Sequence, residues 1–155
     1  MNQKLSDWAS VAEIVSGIAV VVTLVFLVVG LNANTNATHA VVYKDLLGGI
    51  NDFNRELIND SELAQLWSNR ATTGLDSLAS EDAERLVYMN RIIFRIFDSA
   101  YFAFETGSLD ARQWQRFHDL GCSNYADERY ASLWAETVGI VSESYVSYLD
   151  DNCTN

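Results

Sequence analysis

The sequence predicts an all-α protein, an N-terminal transmembrane helix continuing into a small helical bundle. Three observations predict it. An apolar run, IVSGIAVVVTLVFLVVGL, fills Ile14 to Leu31. Beyond it, apolar residues recur every three or four positions in segment after segment, the period of an amphipathic helix. The 155-residue chain also has no proline, so glycines and short polar clusters must make its breaks. We divide it into a membrane anchor, residues 1–31, and a helical soluble domain, residues 32–155.

The run from Ile14 to Leu31 carries no charge, and Ser16 and Thr23 are its only strongly polar side chains. With Val11 and Ala12, and tolerating Glu13, it reaches 21 residues. At ~1.5 Å per residue such a helix spans roughly the ~30 Å hydrocarbon core. Trp8 precedes it by one turn, a headgroup position for an indole. Abundant Val and Ile weaken a helix in water, but in lipid an unpaired backbone leaves a helix as the one open-chain solution. A cleaved signal peptide has a shorter core, roughly 7–15 residues, ending in small residues. Asn32-Ala33-Asn34-Thr35 offers no such site, so an uncleaved anchor is expected. Lys4 stands before the run and Lys44 is the first full cation after it, so the cation count that sets orientation is nearly level.

Asn32 to Thr38 has no Gly or Pro, so the first helix can continue. Tyr43, Leu47, Ile50, Phe53 and Leu57 then form one stripe on a helix from about Ala40 to Ile58. Gly48-Gly49 weakens it by about 1 kcal/mol per Gly relative to Ala and permits a bend or a close helix contact. Asn59-Asp60-Ser61-Glu62 reads as a stop and a new N-cap, opening a short helix to Asn69 that buries Leu63, Leu66 and Trp67. Thr72-Thr73-Gly74 closes it. Ser80 is expected to cap the longest soluble helix, with Glu81, Asp82 and Glu84 near its positive dipole end. Leu86, Met89, Ile93, Phe97, Ala100 and Phe104 line one face, and Gly107 is the left-handed terminator. Asp110 caps a helix with Trp114 and Phe117 that Gly121 should end. A last continuous helix is expected from about Asp127 to Leu149.

Charge and composition exclude several function classes. Ten Lys and Arg stand against 21 Asp and Glu, a net charge of -11, so nucleic acid is not an expected partner. A hydrophobic share of 49% excludes a disordered chain. There is no HExxH, no Gly-rich phosphate loop, no G-x-S-x-G and no Glu-x-x-His pair. No catalytic residue, metal or cofactor is therefore expected, and His118 reads as a surface histidine. Cys122 and Cys153 bracket the expected last helix. About 25 helical residues would hold them ~35 Å apart, whereas a disulfide needs Cα atoms within ~7 Å. On that geometry they stay apart and do not argue for an oxidising compartment.

Two polar features remain. Arg91, Arg95, Asp98 and Glu105 form a stripe on the long helix, with Phe102 between. It reads either as a charged pocket or as surface ion pairs such as Arg95 with Asp98, and the two are expected within ion-pair reach of each other or of a partner on a neighbouring helix, orienting the long helix in the bundle. In the anchor, Ala12, Ser16, Ala19, Thr23, Gly30, Ala33 and Ala37 follow an alternating four-and-three spacing broken by Phe26. Such a seam lets helix backbones approach, and Ser and Thr can hydrogen-bond across it. The bland alternative is a chance pattern facing lipid.

Several segments carry a resemblance. WASVAEIVSGIAVVVTLVFLVV with Asn34-Thr35, then NDSELAQLW, then RIIFRIFDSAYFAFETGSLDARQW resemble a group of uncharacterised bacterial single-pass membrane proteins. Phe94, Arg95, Phe97, Asp98, Ala100, Tyr101, Phe102, Phe104, Gly107, Leu109, Asp110 and Trp114 fall in step with its F-R-x-F-[ED]-x-A-Y segment, Asp98 standing where Glu is usual. The resemblance covers most of residues 8–114. It implies an anchor plus a helical domain in the bacterial inner membrane, and no activity. The group usually carries arginines just after the membrane helix, implying a cytoplasmic domain; this chain lacks them.

The expected function is that of a non-catalytic assembly or accessory subunit. Its partners would be the lipid bilayer and either a second copy, as a homo-oligomer, or another membrane protein. The alternative is a membrane-anchored sensor whose aromatic bundle binds a small apolar ligand.

Overall fold

The computed structural model describes residues 2–153, with side chains at Glu13 and from Val15 onward. The side chains of Trp8 and of the seam residue Ala12 lie outside the described residues. Among the described residues the chain is mostly helical and has no strand: α1 Asn2–Asn59, α2 Ser61–Ser68, α3 Ser80–Glu105, α4 Ala111–Tyr125, α5 Ala131–Ala135 and α6 Glu143–Cys153. Contacts divide it into two units, one up to Ala40 and one from Val41.

The first unit is the N-terminal part of α1. As expected, no coil follows Leu31 and the helix continues to Asn59. Every side chain from Val15 to Thr38 is exposed. Its most apolar stretch is long and apolar enough to cross a membrane, a test that a signal sequence and the core helix of a soluble protein also pass. The hydroxyls are satisfied within the helix. Thr23 Oγ1 donates to the Ala19 carbonyl at 2.8 Å, and Thr38 Oγ1 donates to that of Asn34 at 3.0 Å.

In the second unit α1 acquires an inner face. Val42, Tyr43, Leu46 and Ile50 pack on the core, and Phe53 is buried with its ring 5.0 Å from that of Trp67. At Gly49 a Cβ would stand 3.2 Å from Ile96 Cδ1, so the glycine serves a close α1–α3 approach. Asp60 caps α2, accepting from the Glu62 and Leu63 amides at 3.0 Å each. Leu63, Leu66 and Trp67 are half-buried rather than enclosed.

α3 is the central element. Its cap is Ala79 with extended backbone; Ser80 is already helical, so its hydroxyl is not the cap expected. Leu86, Met89, Phe94, Phe97 and Ala100 are buried. Each large apolar side chain among them is worth about 1.5–3 kcal/mol of burial. Gly107 adopts φ 73°. The Ser108 amide reaches the Ala103 carbonyl at 2.7 Å and the Gly107 amide that of Phe104 at 3.0 Å, the paired bonds of a Schellman ending. Asp110 and Gln113 form a reciprocal capping box on α4.

Two boundaries differ from the sequence reading. α4 does not stop at Gly121 but runs on to Tyr125. A Cβ at Gly121 would lie 2.7 Å from the Tyr145 hydroxyl, so this glycine makes room for α6. The expected last helix is also broken into short 3-10 turns, α5 and α6. Polar groups from α3 hold the break. Buried Asn90 donates to Thr137 Oγ1 at 2.8 Å, and Asp98 accepts from the Ser142 amide at 3.0 Å. Side chains that take backbone donors compete with helix continuation.

The break overturns the expected separation of the cysteines. Because α6 folds back along α4, Cys122 and Cys153 have Cα atoms 4.9 Å apart and form a disulfide. Their sulfurs close the aromatic core, where Trp114 lies 5.8 Å from Tyr101 and 5.5 Å from Tyr148 between ring centroids.

Candidate functional site

The polar stripe of α3 does not act as one unit. Arg91 caps the end of α5, donating from Nε and Nη2 to the Glu136 carbonyl at 2.9 and 2.8 Å. Asp98 turns to the start of α6, where Ser142 Oγ donates to it at 2.5 Å. That position orients α3 against its neighbour, but through hydrogen bonds. Among the described residues no ion pair joins Arg95 to Asp98, so the expected pair is corrected. The physical reason is that Ser142 offers Asp98 a backbone amide and a hydroxyl together.

Arg95 faces a different neighbourhood. It lines an open groove of about 480 Å³ between α1 and α3. Val42, Leu46, Gly49, Ile96, Phe102 and Ala103 make the apolar lining, and Asp45 and Ser99 are polar members. Phe102 is 69% exposed, and Tyr88 and Ile92 are 59% and 49% exposed. Tyr88, Ile92, Arg95, Ser99 and Phe102 thus form a four-and-three stripe that is exposed among the described residues. Isolated surface apolar residues need no explanation, but a contiguous strip beside a hollow marks a binding surface.

A second cluster surrounds the disulfide. His118 Nδ1 lies 2.9 Å from the Tyr148 hydroxyl and 3.4 Å from Cys122 Sγ. His118, Cys122 and Cys153 place ligand-type atoms within 4.8 Å of one another. Both sulfurs are consumed by the disulfide, so the trio offers a metal one imidazole and no thiolate, a set unlike a zinc site. His118 is half-buried rather than on the open surface, because α6 folds over it. Nearby, the Tyr145 hydroxyl is buried and has no hydrogen-bond partner among the described residues. Burial first, then the Asp98 and Tyr148 charges, push its pKa well above the usual phenol range. At the far end of α4, the Tyr125 hydroxyl donates to Asp150, a bond that, with burial, raises the phenol to about 12.

The seam residues Ser16, Ala19, Thr23, Gly30, Ala33 and Ala37 are all exposed, and open space surrounds Gly30. The sequence flagged Gly48-Gly49 as a close-contact position, and Gly49 floors the groove. It did not flag the groove itself, although the spacing of Tyr88, Ile92 and Phe102 was a legible signal. No protein-family model, curated protein or solved structure matches the chain, so function rests on this geometry.

Proposed function

We propose that the protein is a non-catalytic assembly or accessory subunit, held by α1 as a single pass in the bacterial cytoplasmic membrane. The observation that carries this reading is the uncovered apolar strip on α3 beside the α1–α3 groove, with an arginine at its centre. Exposed aromatic and aliphatic side chains around an Arg are the residue types that dominate protein interfaces. The small-residue seam of α1 supplies a second contact of the kind that lipid-embedded helices use.

The disulfide supports a domain on the extracytoplasmic side. Such bonds persist in oxidising compartments and are rare in the cytosol. The nearly level cation count, Lys4 before the apolar run and Lys44 after it, does not oppose that side. This reverses the cytoplasmic domain that the resemblance implied.

Gentle detergent extraction followed by native mass spectrometry tests the assembly reading. The expected result is a complex of two or more chains, or one with a stoichiometric membrane-protein partner. A lone monodisperse chain overturns it. A second reading, a sensor of a small apolar ligand, is favoured by the groove's volume of about 480 Å³, which lies within the range of ligand pockets. A native-mass adduct of acyl-chain size that leaves on Phe102→Asp substitution supports the sensor over the subunit.

A further inference from the structure

We infer that the α1–α3 groove is half of a two-fold interface between two copies of this chain, Phe102 of each copy filling the groove of the other and Arg95 of each pairing with Asp45 of the other. The inference rests on the assembly reading and names its partner.

A two-fold interface needs one patch that holds both a projection and the hollow that receives it. Here the same surface carries both. Gly49 and Ala103 keep the groove open, Val42, Leu46 and Ile96 wall it, and Phe102 stands 69% exposed at its edge. The charges show the same self-complementarity. Arg95 and Asp45 line one groove, yet among the described residues neither has an ion-pair partner within 4.0 Å. Most other arginines of the domain are engaged. Arg55, Arg85, Arg91 and Arg129 reach carboxylates, and Arg116 donates to Tyr43. A cation and an anion left singly in an apolar groove are satisfied together when a second copy presents the opposite order.

The shared membrane fixes the symmetry axis. Both anchors enter one bilayer, so the two-fold axis runs along the membrane normal and the two grooves meet side by side, each Phe102 crossing the axis into the other groove and each Arg95 reaching the other Asp45. Ser99 lies between Arg95 and Phe102 on the strip and is small and exposed, which permits a close approach at the axis. From Tyr88 to Phe102 the stripe is ~21 Å long. A strip of that length is short of a standard stable interface, roughly 800 Å² per partner. Confinement to one membrane raises the effective concentration and compensates, also against the mutual repulsion of two chains of charge -11.

The test uses the full-length protein in detergent and in lipid nanodiscs, with circular dichroism to confirm that each variant is folded. Arg95→Asp sets two carboxylates against each other and is expected to weaken the dimer at least about thirtyfold, the low end for losing one member of an interfacial charge pair. Asp45→Arg does the same, and the double variant Asp45→Arg/Arg95→Asp restores the dimer. Ser99→Cys is expected to crosslink to itself under mild oxidation, whereas Leu120→Cys, elsewhere on the domain, does not. A dimer indifferent to Arg95→Asp but lost on Ala19→Leu/Gly30→Leu overturns this interface and leaves the assembly reading standing. A different bound protein that Arg95→Asp releases and the double variant does not recover also overturns it. A monomer with no partner overturns both.

Discussion

The two ends of α1 belong to one helix and live in different surroundings. From Val15 to Leu31 every side chain is exposed, whatever side of the helix it occupies. After Val41 the same helix covers Val42, Tyr43, Leu46, Ile50 and Phe53 and leaves Lys44, Asp45, Asn51 and Asn54 in solvent. Apolarity without a period calls for an apolar solvent on all sides. Apolarity with a 3.6-residue period calls for a neighbour on one side. The first end is long and apolar enough to cross a membrane, and the second end packs on α3.

The largest test of that contrast removes a packed aromatic. Phe97, buried between α3 and α4, is expected to cost about 3–5 kcal/mol as Phe97→Ala, filling of the vacancy being incomplete. Val21→Ala, at a position 59% exposed, should leave the domain's denaturation midpoint unchanged in the same detergent. Equal losses in urea titrations would erase the distinction between the two ends.

Next comes the disulfide. It closes a separation of 31 residues, for which loop-closure entropy gives about 3–4 kcal/mol. Cys122→Ser/Cys153→Ser should lower the melting temperature of the domain markedly, and reductant should do the same to the native chain. Insertion of α1 should be untouched, because no residue of the bond belongs to it. A native protein that melts identically with and without reductant would remove the bond from the account.

A charge sharpens the other end. Val22→Arg places a cation near the middle of the apolar run, a cost of about 2.5–3.5 kcal/mol for membrane insertion. The protein should shift from the carbonate-resistant membrane fraction toward the soluble one. A fraction that does not move would mean that this stretch is not in the bilayer.

Two smaller effects concern the α4–α6 contact. The Tyr125 phenol is raised to about 12 by its bond to Asp150 and by burial. The folded chain therefore holds its proton where the unfolded chain has lost it. The stabilisation is complete below pH ~10, the ordinary phenol value, and is lost as pH rises through about 12. Tyr125→Phe should flatten alkaline unfolding in that window; an unaltered pH profile would discount the bond. The least effect is expected from Tyr145→Phe. It deletes a buried hydroxyl that has no partner among the described residues, so stability should stay level or rise by about 1 kcal/mol. A clear loss would reveal a partner for that hydroxyl.

Much of this architecture was legible in the residues because the signals were local. The apolar run, the α3 stripe from Leu86 to Ala100, the Asp60 and Asp110 caps and the Gly107 ending each depend on neighbours within about one turn. Gly121 was misread for the same reason. A glycine in a helix resembles a stop until the Tyr145 hydroxyl is seen above it, 24 positions along the chain. The expected ion pairing of Arg95 and Asp98, with each other or with a partner on a neighbouring helix, could not name that partner, because Ser142 lies 44 residues from Asp98.

The sequence by itself determined that the chain is helical, that α1 is uncharged and apolar over Val15 to Leu31, and that α3 has a core face. Periodicity and capping are written in short windows, and backbone hydrogen bonds in helices close within four residues. Only the tertiary structure decided that Asp127 to Cys153 breaks into pieces, that Cys122 meets Cys153, and that Arg95 stands in a groove away from Asp98. Those outcomes depend on which distant donor or ring reaches a side chain first. Buried groups such as Asn90 and Thr137 must find partners wherever the fold brings them, and that competition has no period to read.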